Sequence, residues 1–306
     1  MNERNILVVA HAGRTETVAA ARRVVEALRA AGARPVLASI DRAELGAVDG
    51  FFADVDVLGE TVDPDALELA IVLGGDGTIL RAAELVRDAG APVLGINMGH
   101  VGFLAEIDPD DMDDAMRRVI ERDYDVEERL ALSVRVKDSR GVVVYETWAL
   151  NEATVEKASR ERMIEVVLEI DGRPLSSFGC DGMVVSTPTG STAYNFSAGG
   201  PVIWPSVEAI AVVPLSAHAL FAKPLVVSPD AAVAIEMLER TDGSGILWCD
   251  GRRSHDLPPG ARVVVRRSSR PVRLARLHPT AFTNRLVRKF QLPVAGWRGQ
   301  EPGGAA

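Results

Sequence analysis

At 306 residues the chain has room for about two domains. Its 47% hydrophobic and 25% charged residues are those of an ordinary globular protein, and a formal net charge of −9 argues against broad binding to nucleic acid or to an anionic membrane surface. Two cysteines, Cys180 and Cys249, exclude a disulfide framework or a cysteine-based zinc site, and because each precedes Asp-Gly a structural place beside a turn is expected.

The amino terminus, Met1 to Asn5, runs straight into the strand-like Ile6-Leu7-Val8-Val9. It is too short and acidic for a secretory signal, and no later apolar run would span a bilayer, so a cytoplasmic location is expected. After the first strand, Ile6 to Ala10, comes a polar turn, His11-Ala12-Gly13-Arg14, where His11 and Gly13 stand as ligand contacts or plain turn residues. Thr15 or Thr17 is a candidate cap for a helix carrying Val18, Ala21, Val25 and Leu28, which stops near Gly32. Pro35 to Ala38 reads as a second strand. The acidic stretch from Asp41 to Asp65, with Gly46, Gly50, Gly59 and Pro64, has no firm period and reads as a mobile loop with a short helix at most.

Ala70-Ile71-Val72-Leu73 is a buried-strand pattern, Gly74-Gly75-Asp76-Gly77-Thr78 a turn, and Ile79 to Val86 a helix. A carboxylate among three glycines at a strand's carboxyl end is placed where ligands of open α/β sheets bind, and the helix N-terminus there favours an anion. Pro92 to Ile96 is the next strand, followed by the glycine-rich Asn97 to Leu104, which includes His100 as a further candidate contact. A helix through Met112, Ala115, Met116 and Val119 follows Asp108-Pro109. Strands alternating with helices predict a Rossmann-like α/β domain with a parallel sheet over residues 1–128.

Beyond Tyr124 to Glu128 the period changes. Leu132 to Val136, Val142 to Leu150, Ile164 to Ile170, Met183 to Thr187, Ala211 to Val213, Val233 to Met237, Ile246 to Trp248, Val263 to Val265 and Val272 to Ala275 all read as short strands. They predict an all-β, sandwich-like domain over residues 129–279, with a hairpin at Asp171-Gly172. Phe282, Leu286, Val287 and Phe290 share one helical face, and the segment 280–306 is expected to return to the first domain. Arg288 and Lys289 near that helix's end fit its dipole better than a basic patch.

Neither a G-x-x-x-x-G-K-[ST] loop nor a G-x-G-x-x-G fingerprint is present. Three further stretches carry polar chemistry at strand ends: Asn151-Glu152, Asp181-Gly182, and the hydroxyl-dense Thr187-Pro188-Thr189-Gly190-Ser191-Thr192-Ala193-Tyr194-Asn195, which would be wasteful as plain core.

Gly74 to Thr78, Asn97 to Leu104, Asn151-Glu152 and Thr187 to Tyr194, in that order, resemble the bacterial NAD kinases over nearly the whole chain, as far as Phe282-Thr283-Asn284-Arg285-Leu286. The first motif is also similar to those of diacylglycerol, sphingosine and 6-phosphofructokinases. The resemblance implies phosphoryl transfer to the 2′-hydroxyl of the adenosine ribose of NAD, giving NADP, with Asp76 as general base. It also implies that Gly74, Gly75 and Gly77 give backbone access to the donor phosphates, that Arg81, Mg²⁺ and the helix N-terminus meet their charge, and that Thr78 and Asn97 belong to the substrate- or cofactor-binding set. NAD is implied to lie on Asn151 and Glu152 at the ribose and adenine end and on Asp181 at the nicotinamide side. Thr192, Ala193, Tyr194, Asn195, Phe196 and Ser197 would line the pocket, with Arg162 reaching the ligand. ATP is the implied donor. Gly179, where ATP-restricted relatives carry Arg, leaves room for inorganic polyphosphate as a second one. A homodimer or homotetramer built through the β domain is the family expectation. A lipid or sugar kinase, or a non-catalytic NAD(H)-binding sensor, remain the alternatives.

Overall fold

The computed structural model describes residues 3–99, 102–105, 107–160, 162–241, 243–277 and 281–294. The chain divides into two units, Met1–Glu127 with Arg273–Ala306, and Glu128–Val272.

The first unit runs β1 (Asn5–Ala10), α1 (Thr15–Ala30), β2 (Arg34–Leu37), α2 (Ser39–Val48), β3 (Asp56–Val57), β4 (Leu67–Leu73), α3 (Asp76–Leu85), β5 (Val93–Ile96), α4 (Met112–Glu121) and β6 (Asp125–Arg129). β1, β4 and β5 are almost wholly buried, as expected of parallel strands covered on both faces. Val18, Ala21, Val25 and Leu28 of α1 and Met112, Ala115, Met116 and Val119 of α4 share one core with them. Neither threonine caps α1. Arg14 holds the N-cap without a side-chain bond, and Thr17 is buried inside the helix. Gly32, at φ 73°, follows its end.

The stretch from Asp41 to Asp65 is not a loop. It holds the ten-residue α2, two 3-10 turns and β3. α2 buries only Asp41 and Leu45. One of its two inward residues is therefore a carboxylate, and a charge at a core position erases the apolar period by which a helix is read.

The second unit runs β7 (Leu132–Lys137), β8 (Val143–Ala149), β9 (Glu152–Lys157), β10 (Ile164–Ile170), β11 (Arg173–Cys180), β12 (Gly182–Ser186), α5 (Tyr194–Ser197), β13 (Ile210–Leu215), β14 (Leu225–Val227), β15 (Val233–Met237), β16 (Gly245–Cys249), β17 (Arg253–Leu257) and β18 (Arg262–Arg267). Two six-stranded sheets, ordered β11-β10-β15-β18-β7-β8 and β14-β13-β12-β9-β16-β17, enclose a single core. This is a sandwich of antiparallel pairs. Asp171 (φ 53°) and Gly172 (φ 73°) turn the β10–β11 hairpin with both central residues left-handed, as a type I′ turn requires. Asn151-Glu152 opens β9 instead of closing β8, because the chain changes sheets between Ala149 and Glu152.

The chain then passes through β19 (Val272–Arg276) to α6 (Phe282–Phe290). β19 is not part of the sandwich. It pairs parallel with β5 through Leu274 and Val93 and completes the first unit's seven-stranded sheet, ordered β3-β2-β1-β4-β5-β19-β6. Alternation along Val272-Arg273-Leu274-Ala275 is equally compatible with either sheet, so its partner is a tertiary choice. α6 also packs in the first unit, its Phe282 and Phe290 rings lying 6.0 and 5.7 Å from that of Phe103.

Candidate active site

In the first unit's sheet the strand order reverses between β1 and β4, the switch point at which open α/β sheets bind ligands. Ala10 and Leu73 are register partners, so the chain leaves both strands side by side at His11 and Gly74. A cavity of about 360 Å³ opens there, lined by His11, Gly13, Arg14 and Thr17 after β1, by Gly74, Gly75 and Thr78 after β4, and by Asn97, Met98 and Gly99 after β5. His11 Nδ1 accepts the Gly13 N–H at 2.9 Å, which directs the other ring nitrogen away from that turn. Asn97 is buried, and its Oδ1 accepts the Gly99 N–H at 3.2 Å. His100 lies outside the described residues.

Asp76 is the first residue of α3 and is half-buried. Its Oδ2 accepts the Phe103 N–H at 2.9 Å and its Oδ1 the Leu104 N–H at 3.0 Å. Each oxygen keeps a further lone pair for a substrate hydroxyl. None of Gly74, Gly75 and Gly77 takes a positive φ. Gly74 is required by close approach, since a Cβ there would stand 2.5 Å from Thr78 Oγ1, whereas Gly75 and Gly77 face open space and leave the α3 N-terminus accessible.

Arg81 does not turn toward this cavity. Its guanidinium bonds both carboxylate oxygens of Asp41, at 2.5 and 2.9 Å, and the carbonyl of Ala10 at 3.2 Å. Asp41 has no exposed side-chain surface, and burial raises its pKa against the opposing pull of Arg81. The implied phosphate contact of Arg81 is thus replaced by a tie from α3 to α2 and the end of β1. Arg14 takes over as the cation lining the cavity; its signal in sequence was its position just before a helix at a strand end.

In the second unit the three polar stretches come together. Thr187 N–H donates to the Asn151 carbonyl at 2.9 Å, Thr187 Oγ1 donates to the Leu150 carbonyl, and a Cβ on Gly190 would lie 2.1 Å from Asn151 O. The hydroxyl-rich loop is therefore seated on the Asn151 backbone. Much of its polarity is internal: Ser191 Oγ donates to Pro188 O at 2.7 Å and accepts from Ile203 N–H at 2.9 Å. Asn195 is fully buried, its amide donating to Ser191 O at 3.1 Å and Pro201 O at 3.0 Å. Its side chain, with no exposed surface, thus holds the loop from inside, while its Oδ1 has no hydrogen-bond partner. Tyr194, Phe196 and Ser197 are exposed, with Thr192 and Ala193 partly so.

Glu152 is buried, and its Oε2 has no hydrogen-bond partner. Burial, reinforced by the charge of Asp250, pushes its carboxyl up to about 8, while the Tyr194 N–H pulls the other way. Asp181 pairs with Lys157 Nζ at 2.5 Å, and that hydrogen bond lowers its pKa. Burial raises the Tyr194 phenol, followed by the charges of Glu156, Glu152 and Asp181, so this ring stands among three carboxylates. Arg162 is exposed in the segment after β9. Asp250, absent from the sequence-based candidates, lies against Asn151 and Glu152; its Cys-Asp-Gly context reads only as a turn. Cys180 and Cys249 are both buried, and burial pushes each thiol up to about 12.

Among the described residues no group of three or more His, Cys, Asp or Glu side chains could hold a metal ion, and no helix is long and apolar enough to cross a membrane.

Profiles of the ATP-NAD kinase N-terminal domain and the ATP-NAD kinase C-terminal domain match residues 6–124 and 150–277. The chain belongs to the NAD kinase family. An NAD kinase of Leifsonia xyli subsp. xyli is 64% identical over 98% of each chain. The crystal structure of an Archaeoglobus fulgidus NAD kinase in complex with ATP superposes with a TM-score of 0.67 at 25% identity, covering 95% of this chain and 100% of that one. Yeast NADH kinase complexed with NADH shares the fold, with a TM-score of 0.84 at 21% identity over 98% of this chain and 90% of that one.

Proposed function

We propose that the chain transfers the γ-phosphoryl group of ATP to the 2′-hydroxyl of the adenosine ribose of NAD, giving NADP and ADP, with Asp76 as general base. The observation that carries this reading is Asp76 itself, a carboxylate heading α3 beside the switch-point cavity, both oxygens oriented by backbone amides and each with a lone pair to spare. In the reaction the 2′-oxygen forms a bond to Pγ, the bond from Pγ to the β-bridging oxygen breaks, and the hydroxyl proton passes to Asp76. The accessible α3 N-terminus, Gly75, Gly77 and Arg14 would meet the donor's charge.

Asn151, Glu152, Asp181 and the wall from Thr192 to Ser197 would hold NAD, Asn195 acting through the loop it supports. Arg162 is proposed to reach the same ligand. Mg²⁺ is proposed to arrive on the donor phosphates with water completing its shell. The reaction is proposed to run in the cytoplasm.

Asp76→Asn tests the reading. Turnover of NAD to NADP should fall at least a hundredfold, on the scale of general-base removal, with NAD binding retained. Unchanged turnover would refute the role of Asp76, and NAD binding indifferent to the substitution, with no NADP formed by either protein, would favour a sensor.

Inorganic polyphosphate is proposed as a second donor because position 179 is glycine, where a Cβ would meet only the Met163 side chain, at 3.6 Å. No NADP from NAD, Mg²⁺ and polyphosphate would sink that proposal. A homodimer or homotetramer is proposed through the second unit, where Leu220, Phe221 and Val226 of edge strand β14 and the segment before it are exposed. A monomer in sedimentation analysis rules it out.

A further inference from the structure

Residues Gly102 to Ala105 are buried yet belong to no helix or strand. The segment lies against β5, where Ala105 approaches Gly95, and it supplies both amides that orient Asp76. The approach is close: a Cβ on Gly102 would lie 2.3 Å from Asp76 Oδ1. Its carbonyls are held from the other side.

The Phe103 carbonyl accepts Arg285 Nη1 at 2.7 Å, and the Leu104 carbonyl accepts Arg276 Nη1 at 3.3 Å. The same two residues thus give their N–H groups to Asp76 and their C=O groups to two arginines. Arg285 is a buried residue of α6, and Arg276, in β19, is anchored in turn by Glu127 at 2.7 Å. The Phe103 ring also contacts Phe282 and Phe290 of α6. Hydrogen bonds from a charged donor are stronger than neutral ones and, when buried, hold their acceptor in one place. A planar guanidinium is well suited to that task.

We infer that Arg285, seconded by Arg276, is a positioning residue for Asp76: the carboxyl-terminal return of the chain holds the Phe103–Leu104 backbone, and that backbone holds the carboxylate. This rests on the proposed role of Asp76, and it assigns α6 a place in turnover that its distance along the chain hides. Displacement of a reacting group by an ångström costs rate and leaves binding of a remote substrate untouched.

The test uses the full chain. Arg285→Met keeps the length of the side chain and removes the donor; Arg285→Lys keeps a cation without the planar fork. Turnover of NAD should fall about tenfold or more in Arg285→Met and less in Arg285→Lys, with the KM for NAD within twofold. Amide hydrogen exchange at Phe103 and Leu104 should speed up, while exchange at Asn151 should not. In an Asp76→Asn background, Arg285→Met should cost almost nothing further, because both changes remove the same contribution. Wild-type turnover in Arg285→Met, unchanged exchange at Phe103 and Leu104, or full additivity with Asp76→Asn each overturns the inference. Should Arg285→Met not fold, the lysine variant decides on the same three readouts. The exchange measurement needs no turnover, so it separates failure of the clamp from failure of the base assignment, which Asp76→Asn alone decides.

Discussion

Asp250 accepts the amide N–H of Asn151 at 2.7 Å through Oδ1, and through Oδ2 that of Leu150 at 2.9 Å. The relationship is reciprocal, for the Asp250 N–H donates to the Glu152 carbonyl at 3.0 Å. Arg253 caps the same carboxylate at 2.7 Å while its guanidinium lies 4.4 Å from the Trp148 ring centroid. A residue at the end of β16 therefore fixes the point where the chain crosses from β8 to β9, and with it the orientation of Asn151 and Glu152.

Asp250→Asn should weaken NAD binding more than it slows turnover. The amide oxygen can accept one of the two N–H groups, leaving the other buried and unpaired at a cost of about 1–3 kcal/mol. Calorimetric titration with NAD, set beside a urea midpoint, checks this; equal NAD affinity in both proteins contradicts it.

Arg14→Ala should act on the other substrate. Arg14 is exposed at the N-terminus of α1, and no ion pair among the described residues engages it. Its loss is expected to raise the KM for ATP about tenfold at low salt, leaving the KM for NAD unchanged. Steady-state kinetics with each substrate varied in turn gives the answer.

Arg81→Met tests the revised place of that arginine. Asp41, with no exposed surface, would be left as an uncompensated buried charge, and breaking such a pair costs about 3–5 kcal/mol. The expected outcome is a large drop in the urea midpoint. A variant of wild-type stability with weakened ATP binding would restore the phosphate role.

Glu152 carries a pH dependence whose sign is fixed. Its folded-state carboxyl stands at about 8, above the ordinary 4.5, so between those values the folded protein holds a proton that the unfolded chain does not. Stability from this group is full at low pH and is lost as pH rises through about 8. Glu152→Gln should therefore gain on the wild type progressively from pH 5 to about pH 8 and level off above it, measured as the difference in urea midpoints. A constant difference argues that the carboxylate is relieved by a partner.

Cys180 and Cys249, both buried with thiols raised to about 12, should be inert in the native state. A thiol reagent is expected to titrate close to none in the folded protein and both after denaturation.

Local pattern carried much of this molecule. Continuous apolar runs announced β1, β4 and β5, short apolar runs, alternating in β7, announced β7, β8, β10, β12, β13, β15, β16 and β18, and Asp171-Gly172 announced its hairpin, because each depends only on neighbours in sequence. The motifs Gly74 to Thr78, Asn151-Glu152 and Thr187 to Tyr194 were also legible, since backbone access and polar density at strand ends leave a compositional trace. What stayed hidden depends on partners far away. Asp41 is an inward residue of α2 only because Arg81, forty positions on, meets its charge. β19 joins the first sheet because Val93 lies beside Leu274. Asn195 is a buried prop where its neighbours are exposed, as two carbonyls take its amide. Asp250 matters through the amides of Leu150 and Asn151, and Arg285 through a carbonyl 182 positions away. Composition and period set which segments are strands, helices and polar turns; which charge is compensated, and which backbone it holds, was decided by packing across the fold, where burying a polar group costs least when a partner meets it.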